Sequence, residues 1–104
     1  MAKKGIKIIS DLVKEAPNIA RQRSNMELYE AIRDNNLVAI SYRKLETNRI
    51  VRRIIEPYEF KEEETGLYLY AYDRTGRKRS TKSFLVNNIL SAVKQERTFT
   101  PRVF

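Results

Sequence analysis

Residues 67–73 have the sequence Leu-Tyr-Leu-Tyr-Ala-Tyr-Asp, in which aliphatic residues alternate with tyrosines. Successive side chains of a β-strand point to opposite faces of a sheet, so the alternation predicts a strand with one aliphatic face and one face carrying Tyr68, Tyr70 and Tyr72. Aromatic residues are common in strands, and such rings pack in small barrels. Rings beside cations also bind polyanions, because rings stack on bases and cations pair with phosphates. Both interpretations stay open at this point.

The composition limits the classes of function. The 104 residues correspond to one domain, with 21 basic and 13 acidic side chains and a net charge of +8. This surplus predicts attraction to nucleic acid or to another acidic surface, although a merely soluble basic protein has the same composition. The chain has no cysteine and no histidine. Disulfides, thiolate metal sites and histidine-based catalysis are therefore excluded, and we expect no cofactor and no enzymatic activity.

The first part of the chain differs from the rest. Residues 1–23 are basic and contain helically spaced apolar residues, so we expect an arm with a short helix that Pro17 ends. Ser24 and Glu27 have the spacing of a capping box, which predicts a helix over about residues 25–35. The domain itself would then span residues 24–104. No apolar run has the length of a signal peptide core or a membrane span, which predicts a cytoplasmic protein.

From residue 37 onward, the hydrophobic period is two instead of 3.6. Short turns rich in glycine, asparagine and aspartate separate the periodic segments, and Pro57 is expected to close the second strand. Five short strands after one helix predict a mainly β fold, a small, strongly bent five-stranded antiparallel barrel. The predicted strands cover residues 37–43, 49–56, 67–73, 79–86 and 89–96.

Several segments, in this order and spacing, resemble the WYL domain family. The resemblance covers roughly residues 27–100 and rests on Ala31-Ile32 before residues 38–42, on Arg53-Ile54-Ile55-Glu56-Pro57, on residues 67–73 and on residues 82–89. It implies an Sm-like β-barrel behind a short helix, and a ligand-sensing or nucleic-acid-binding module of bacterial and phage regulatory proteins. Such domains usually follow a winged-helix DNA-binding domain. The segment before the barrel is too short for one, so we expect a stand-alone module.

The chain departs from the family pattern at four positions. Leu67 stands where the family has tryptophan, and Asn87 and Asn88 stand where it has aspartate and arginine. Lys82 stands in place of an arginine, which keeps the charge but loses the planar, bidentate guanidinium. Since the family's basic ligand pocket depends partly on those arginines, the resemblance implies a different ligand or weaker binding here.

The cations cluster around the predicted turns and strands, where they either merge into one basic face or protect sheet edges from pairing. Arg53 is the leading candidate, because a strand arginine near Tyr42 can present its guanidinium to a phosphate or a carboxylate. The alternative is a structural ion pair with Glu56 or Glu59. The predicted nucleic-acid or ligand site comprises Tyr42, Arg43, Arg53, Tyr68, Tyr70, Arg77, Arg79, Lys82 and Asn88.

We expect the acidic run at residues 62–64 to be a solvated loop rather than a metal site, because three adjacent loop carboxylates point in different directions.

Together, the charge, the tyrosine strand and the resemblance predict a non-enzymatic regulatory module that binds single-stranded nucleic acid or nucleotides through a basic, tyrosine-bearing face. Two alternatives are docking on an acidic partner protein and sensing of a small anionic ligand through Arg53, Tyr42 and Lys82. Exposed edge strands also favour a homodimer.

Overall fold

One helix precedes five strands in the computed structural model, which describes residues 18–76 and 78–103. A short 3₁₀ helix at Val86–Asn88 joins the last two strands. The elements are α1 (Asn18–Asp34), β1 (Asn36–Arg43), β2 (Ile50–Glu63), β3 (Gly66–Asp73), β4 (Ser80–Leu85) and β5 (Ile89–Thr98). The mainly β fold with one leading helix is thus confirmed.

The helix begins earlier than the capping box predicted. Helix α1 starts at Asn18, so Ser24 lies inside it and is buried. The Glu27 carboxylate accepts a hydrogen bond from the backbone N–H of Lys94 at 2.6 Å, which ties α1 to β5 instead of capping the helix. The helix ends before Asn35, whose φ of 58° is the left-handed conformation that asparagine tolerates. Most of the predicted arm, residues 1–17, lies outside the described residues.

The strands form one antiparallel sheet in the order β4-β3-β2-β1-β5. The prediction that Pro57 ends the second strand is wrong, because β2 continues to Glu63. Proline lacks a backbone N–H, and the β2–β3 register shifts between Pro57 and Glu59, so an irregularity in the ladder accommodates it. The prediction of a loop at residues 62–64 is therefore wrong for Glu62 and Glu63, which the long β2 places on a strand, and only Glu64 of the three lies in the turn.

The connection from β4 to β5 shows that the sheet is strongly bent. These strands are opposite edges of the sheet, and in a flat sheet they would be about 19 Å apart. The chain from Leu85 to Ile89 spans at most about 14 Å, and less as a 3₁₀ helix. The two edges must therefore approach each other. The predicted closure into an Sm-like barrel is not confirmed, since β4 and β5 do not pair in the described sheet.

Side chains connect the two sides of the gap. The hydroxyl of Tyr42 on β1 accepts a hydrogen bond from the Leu85 N–H on β4 at 3.2 Å. The Asn88 side-chain amide donates to the Arg43 carbonyl on β1 at 2.9 Å. The bent sheet is thus held by contacts across its open side instead of by a continuous backbone ladder.

The core lies between α1 and the inner face of the sheet. Leu69 and Ala71 on β3 are fully buried, whereas the three tyrosines of that strand are partly exposed on the other face, which confirms the predicted alternation. No helix in the described part of the chain is long and apolar enough to cross a membrane. The core residues are Leu28, Ala31, Val38, Ile40, Ile55, Leu69, Ala71, Phe84, Val86, Ile89 and Ala92.

Candidate functional site

A buried carboxylate at the end of β3 organises the polar end of the inner face. Asp73 has no exposed surface, and its Oδ2 lies 2.7 Å from Lys82 Nζ and 3.3 Å from Arg53 Nε. Its Oδ1 accepts hydrogen bonds from the backbone N–H and the hydroxyl of Thr75, at 2.9 and 3.0 Å. A buried charge needs such compensation. The carboxylate therefore fixes one cation from β2 and one from β4 side by side.

Strand register explains why these residues meet. Asp73 is paired with Ile55 on β2, so Arg53, two residues before Ile55, lies on the same face of the sheet. Lys82 on β4 is paired with Ala71 on β3 and therefore also shares that face. Arg53, Asp73 and Lys82 therefore lie on one face of three neighbouring strands.

The β3–β4 loop packs against this ion cluster. The Ile54 N–H donates to the Thr75 hydroxyl at 3.1 Å, and the Arg74 N–H donates to the Ile54 carbonyl at 2.9 Å, which attaches the loop to β2. Gly76 has a φ of +87°, a conformation that side-chain-bearing residues rarely adopt. A Cβ atom there would lie 3.7 Å from the Arg53 guanidinium, so the loop passes directly over that group.

A cavity of about 610 Å³ opens beside the cluster, within the bend of the sheet. Arg53, Asp73 and Lys82 contribute to its wall, together with the aromatic residues Tyr42 and Tyr68. The Tyr42 ring packs edge-on against Phe84, with 5.0 Å between the ring centroids, and its hydroxyl is held by β4. The cavity thus combines fixed rings with two adjacent cations that share one carboxylate.

Four of the predicted site residues therefore line one cavity: Tyr42, Arg53, Tyr68 and Lys82. Arg53 does form an internal ion pair, but with Asp73 instead of the expected Glu56 or Glu59. The Glu56 carboxylate is instead bound by Arg102, through hydrogen bonds of 2.9 and 3.0 Å, and Arg74 Nε lies 3.8 Å from it. The predicted ion pair of Arg53 is therefore present, but the predicted partner was wrong.

The tyrosine face has a different chemical environment. The Tyr70 hydroxyl donates a 2.6 Å hydrogen bond to the Glu63 carboxylate, and this bond raises the pKa of Tyr70. The Arg102 guanidinium lies 3.7 Å from the centroid of the Tyr72 ring and covers it. Tyr68 is the one member of the row that lines the cavity. The main cations of the cavity and most of the tyrosine row therefore lie on opposite faces of β3.

The remaining predicted site residues are dispersed. Arg43 and Arg79 are exposed, at the end of β1 and in the β3–β4 loop. Asn88 uses its side-chain amide to hold the Arg43 carbonyl, which is a structural role. Arg77 lies outside the described residues.

Sequence reasoning placed Asp73 at the end of the strand at residues 67–73 but did not include it in the predicted site. The signal was present, because Asp73 continues the alternation of Leu67, Leu69 and Ala71 and therefore faces inward. An aspartate that is in phase with a buried face needs cationic partners. Lys82, in phase with the buried Phe84, fits that requirement.

Comparison with known proteins agrees with the fold. The structure is similar to that of Proteasome accessory factor B/C (PafBC) of Arthrobacter aurescens, with a TM-score of 0.66 and 18% sequence identity. The match covers 75% of this chain but only 12% of that one, so the likeness is one of fold. No curated protein matches the chain. The WYL domain model matches residues 25–95, which supports a regulatory role. The chain belongs to the WYL domain family.

Proposed function

We propose that this protein is a non-catalytic regulatory module that binds a phosphate-bearing ligand in the cavity beside Asp73. The ligand class is a nucleotide or a short segment of single-stranded nucleic acid. One observation carries the proposal: Arg53 and Lys82 are held by the same oxygen of one buried carboxylate, at the wall of an open cavity.

The charges favour an anion. Asp73 carries one negative charge and contacts two cations, so the cluster keeps a net positive charge. Asp73 is fully buried, whereas the side chains of Arg53 and Lys82 are 24% and 36% exposed. A ligand entering the cavity would therefore meet the cations before the carboxylate. Phosphate oxygens accept charge-assisted hydrogen bonds from both groups, and these are about twice as strong as neutral ones.

The rings favour a ligand that also has a flat surface. Tyr42 and Tyr68 line the same cavity as the two cations. Stacking of a base on an aromatic side chain contributes about 1–3 kcal/mol and tolerates any base. A nucleotide unit has both the phosphate and the ring that this arrangement fits. The tyrosine face is a weaker candidate, because Glu63 binds Tyr70 there and would repel phosphates.

A matched pair of variants tests the proposal. Lys82→Gln removes a cation from the cavity, and Lys61→Gln removes the cation that lies 5.6 Å from the Tyr70 ring centroid on the tyrosine face. Both variants change the net charge equally. We expect Lys82→Gln to weaken oligothymidylate binding about tenfold, the effect of losing one charged hydrogen bond. It should also reduce the salt slope of the affinity by about 1.

The Lys61→Gln variant should bind within about twofold of the wild type, since its charge lies outside the cavity. Melting temperatures measured on both variants show whether each is folded. Equal losses in the two variants, or no oligonucleotide binding by the wild type at low salt, would refute the cavity as the binding site.

A second candidate function is docking on an acidic surface of a partner protein. The turn between β1 and β2 favours it, because Leu45 and Ile50 expose 61% and 56% of their surface beside the exposed cations Arg43, Lys44 and Arg49. Such a combination fits a protein surface with carboxylates around an apolar centre. Pull-down with nuclease treatment separates the candidates: partners that survive digestion support docking, and loss of all partners excludes it.

A further inference from the structure

The segment after β5 fills a polar site on the outer face of the sheet. Arg102 donates from Nε and Nη2 to the two carboxylate oxygens of Glu56, at 2.9 and 3.0 Å. Its guanidinium also stacks on the Tyr72 ring, 3.7 Å from the centroid. The backbone N–H of Arg102 donates to the Tyr58 hydroxyl at 3.0 Å. The site thus binds one arginine in three ways: a carboxylate pairs with its charge, a ring stacks on its guanidinium plane, and a hydroxyl accepts its backbone N–H.

The components of this site belong to the sheet and not to the tail. Glu56 is paired with Tyr72 across β2 and β3, so both side chains emerge on the same face. The Tyr58 hydroxyl donates to Glu56 at 2.8 Å, which orients the carboxylate. The Glu56 side chain is only 2% exposed, whereas the Arg102 side chain is 43% exposed. A rigid, buried acceptor therefore holds a group that lies at the surface.

The tail is attached mainly through such contacts. Residues 99–103 have no regular secondary structure, and residues 100–103 are exposed. Apart from Arg102, the Phe99 ring packs against Tyr58 at a centroid distance of 5.5 Å, and the Phe99 N–H donates to the Asn35 carbonyl. An exposed segment that beyond Phe99 is held by one arginine can exchange with another segment that offers the same contacts.

We propose that Glu56, Tyr58 and Tyr72 form a recognition site for an arginine in an extended peptide, and that Arg102 occupies this site in cis. An arginine-bearing segment of another polypeptide binds there by displacing the tail. The specificity is for arginine over lysine, because only a planar guanidinium makes two parallel hydrogen bonds while it stacks on a ring. This interaction is independent of the anion cavity, since it uses the opposite face of β3.

The test uses Arg102→Ala in the full chain, which removes the two hydrogen bonds to Glu56 and leaves Arg74, whose Nε lies 3.8 Å from Glu56 Oε2. The probes are two blocked tripeptides, Pro-Arg-Val, which reproduces residues 101–103, and Pro-Lys-Val as the matched control. NMR titration should show Pro-Arg-Val shifting the resonances of Tyr58 and Tyr72 in Arg102→Ala. Its affinity should be at least tenfold lower for the wild type, because the tethered tail competes at a high effective concentration. Pro-Lys-Val should bind at least tenfold more weakly than Pro-Arg-Val.

Glu56→Gln combined with Arg102→Ala should abolish the binding of Pro-Arg-Val. The proposal is overturned if Arg102→Ala binds neither peptide, or if it binds both equally. If Arg102→Ala does not fold, the wild type is titrated instead. Excess Pro-Arg-Val must then shift the Tyr72 resonances and excess Pro-Lys-Val must not. Any other result overturns the proposal. Sedimentation distinguishes the sources of the peptide. A dimer of the wild type that Arg102→Ala abolishes indicates a second copy, and a monomer at every concentration excludes a second copy as the source.

Discussion

Arg53 on β2 points toward Asp73 on β3, and its Nε atom lies 3.3 Å from a carboxylate oxygen that is completely shielded from solvent. The pair shares that oxygen with Lys82, so one negative charge positions two positive ones. Removal of water from the carboxylate makes it a strong acceptor with a fixed geometry. This relationship converts an otherwise structural ion pair into a pre-arranged anion site.

The first prediction concerns Asp73. Asp73→Asn leaves Arg53 and Lys82 without their shared negative charge but keeps an oxygen for Thr75. We expect a loss of about 2 kcal/mol in the free energy of unfolding, less than for a fully buried pair because both cations are partly exposed. Oligonucleotide affinity should fall, since the two cations are no longer held side by side. Urea denaturation and a binding titration measure the two effects. Unchanged stability together with unchanged affinity would contradict the assigned role.

The second prediction concerns the contact between α1 and β5. Glu27→Ala removes the acceptor of the Lys94 N–H, which lies 2.6 Å from the carboxylate. A backbone donor that loses its partner in a partly buried position costs about 1–2 kcal/mol. Glu27→Gln is the matched control and should lose less, because an amide oxygen still accepts the bond. Chemical denaturation checks both variants, and equal losses would show that the hydrogen bond is unimportant.

The third prediction tests which face of the sheet is buried, by truncating one leucine on β3 and one on β5. Leu69 is fully buried, whereas Leu90 is 36% exposed. Leu69→Ala should lower the free energy of unfolding by about 3 kcal/mol, and Leu90→Ala by about 1 kcal/mol or less, because only the first creates a cavity in the core. Thermal and urea unfolding of the two variants measure the difference. Similar losses would mean that the assigned faces of β3 or β5 are incorrect.

The fourth prediction concerns alkaline pH. Burial raises the pKa of Tyr58 above its ordinary value near 10, and the hydrogen bond to Glu56 raises it further. The folded state therefore favours the protonated phenol. Its contribution to stability is complete below pH 10 and is lost as the pH rises through the raised pKa.

Tyr58→Phe tests this directly. The variant should be about 1 kcal/mol less stable at neutral pH, because the hydrogen bonds to Glu56 and Arg102 are lost. Its stability should fall less steeply above pH 10 than that of the wild type. Denaturation over a pH series gives the slopes, and parallel slopes for the two proteins would contradict the pKa assignment.

Sequence periodicity was sufficient for much of the fold. The alternation in residues 67–73 correctly placed Leu69 and Ala71 in the core, and the order of motifs identified the family. Local sequence signals gave wrong element ends where contacts with distant parts of the chain determine the structure. Ser24 and Glu27 have the spacing of a cap, but Glu27 binds β5. Proline usually ends a strand, but at Pro57 a shift in the β2–β3 register accommodates it.

The sequence identified several residues of the candidate site but not how they are arranged. Tyr42, Arg53, Tyr68 and Lys82 were identified as candidates, and the structure brings them to one cavity. Their arrangement around Asp73 required the strand register, which no local pattern encodes. The contact between Glu56 and Arg102 joins residues 46 positions apart, and sequence spacing gave no signal for it.

An NMR titration of the isotope-labelled wild type with oligothymidylate at low salt tests directly whether the cavity beside Asp73 binds the ligand. We expect the largest shifts to cluster at Arg53, Asp73 and Lys82 and to diminish as salt is added. Shifts concentrated at Glu63 and Tyr70, with the cavity residues unaffected, would contradict this expectation.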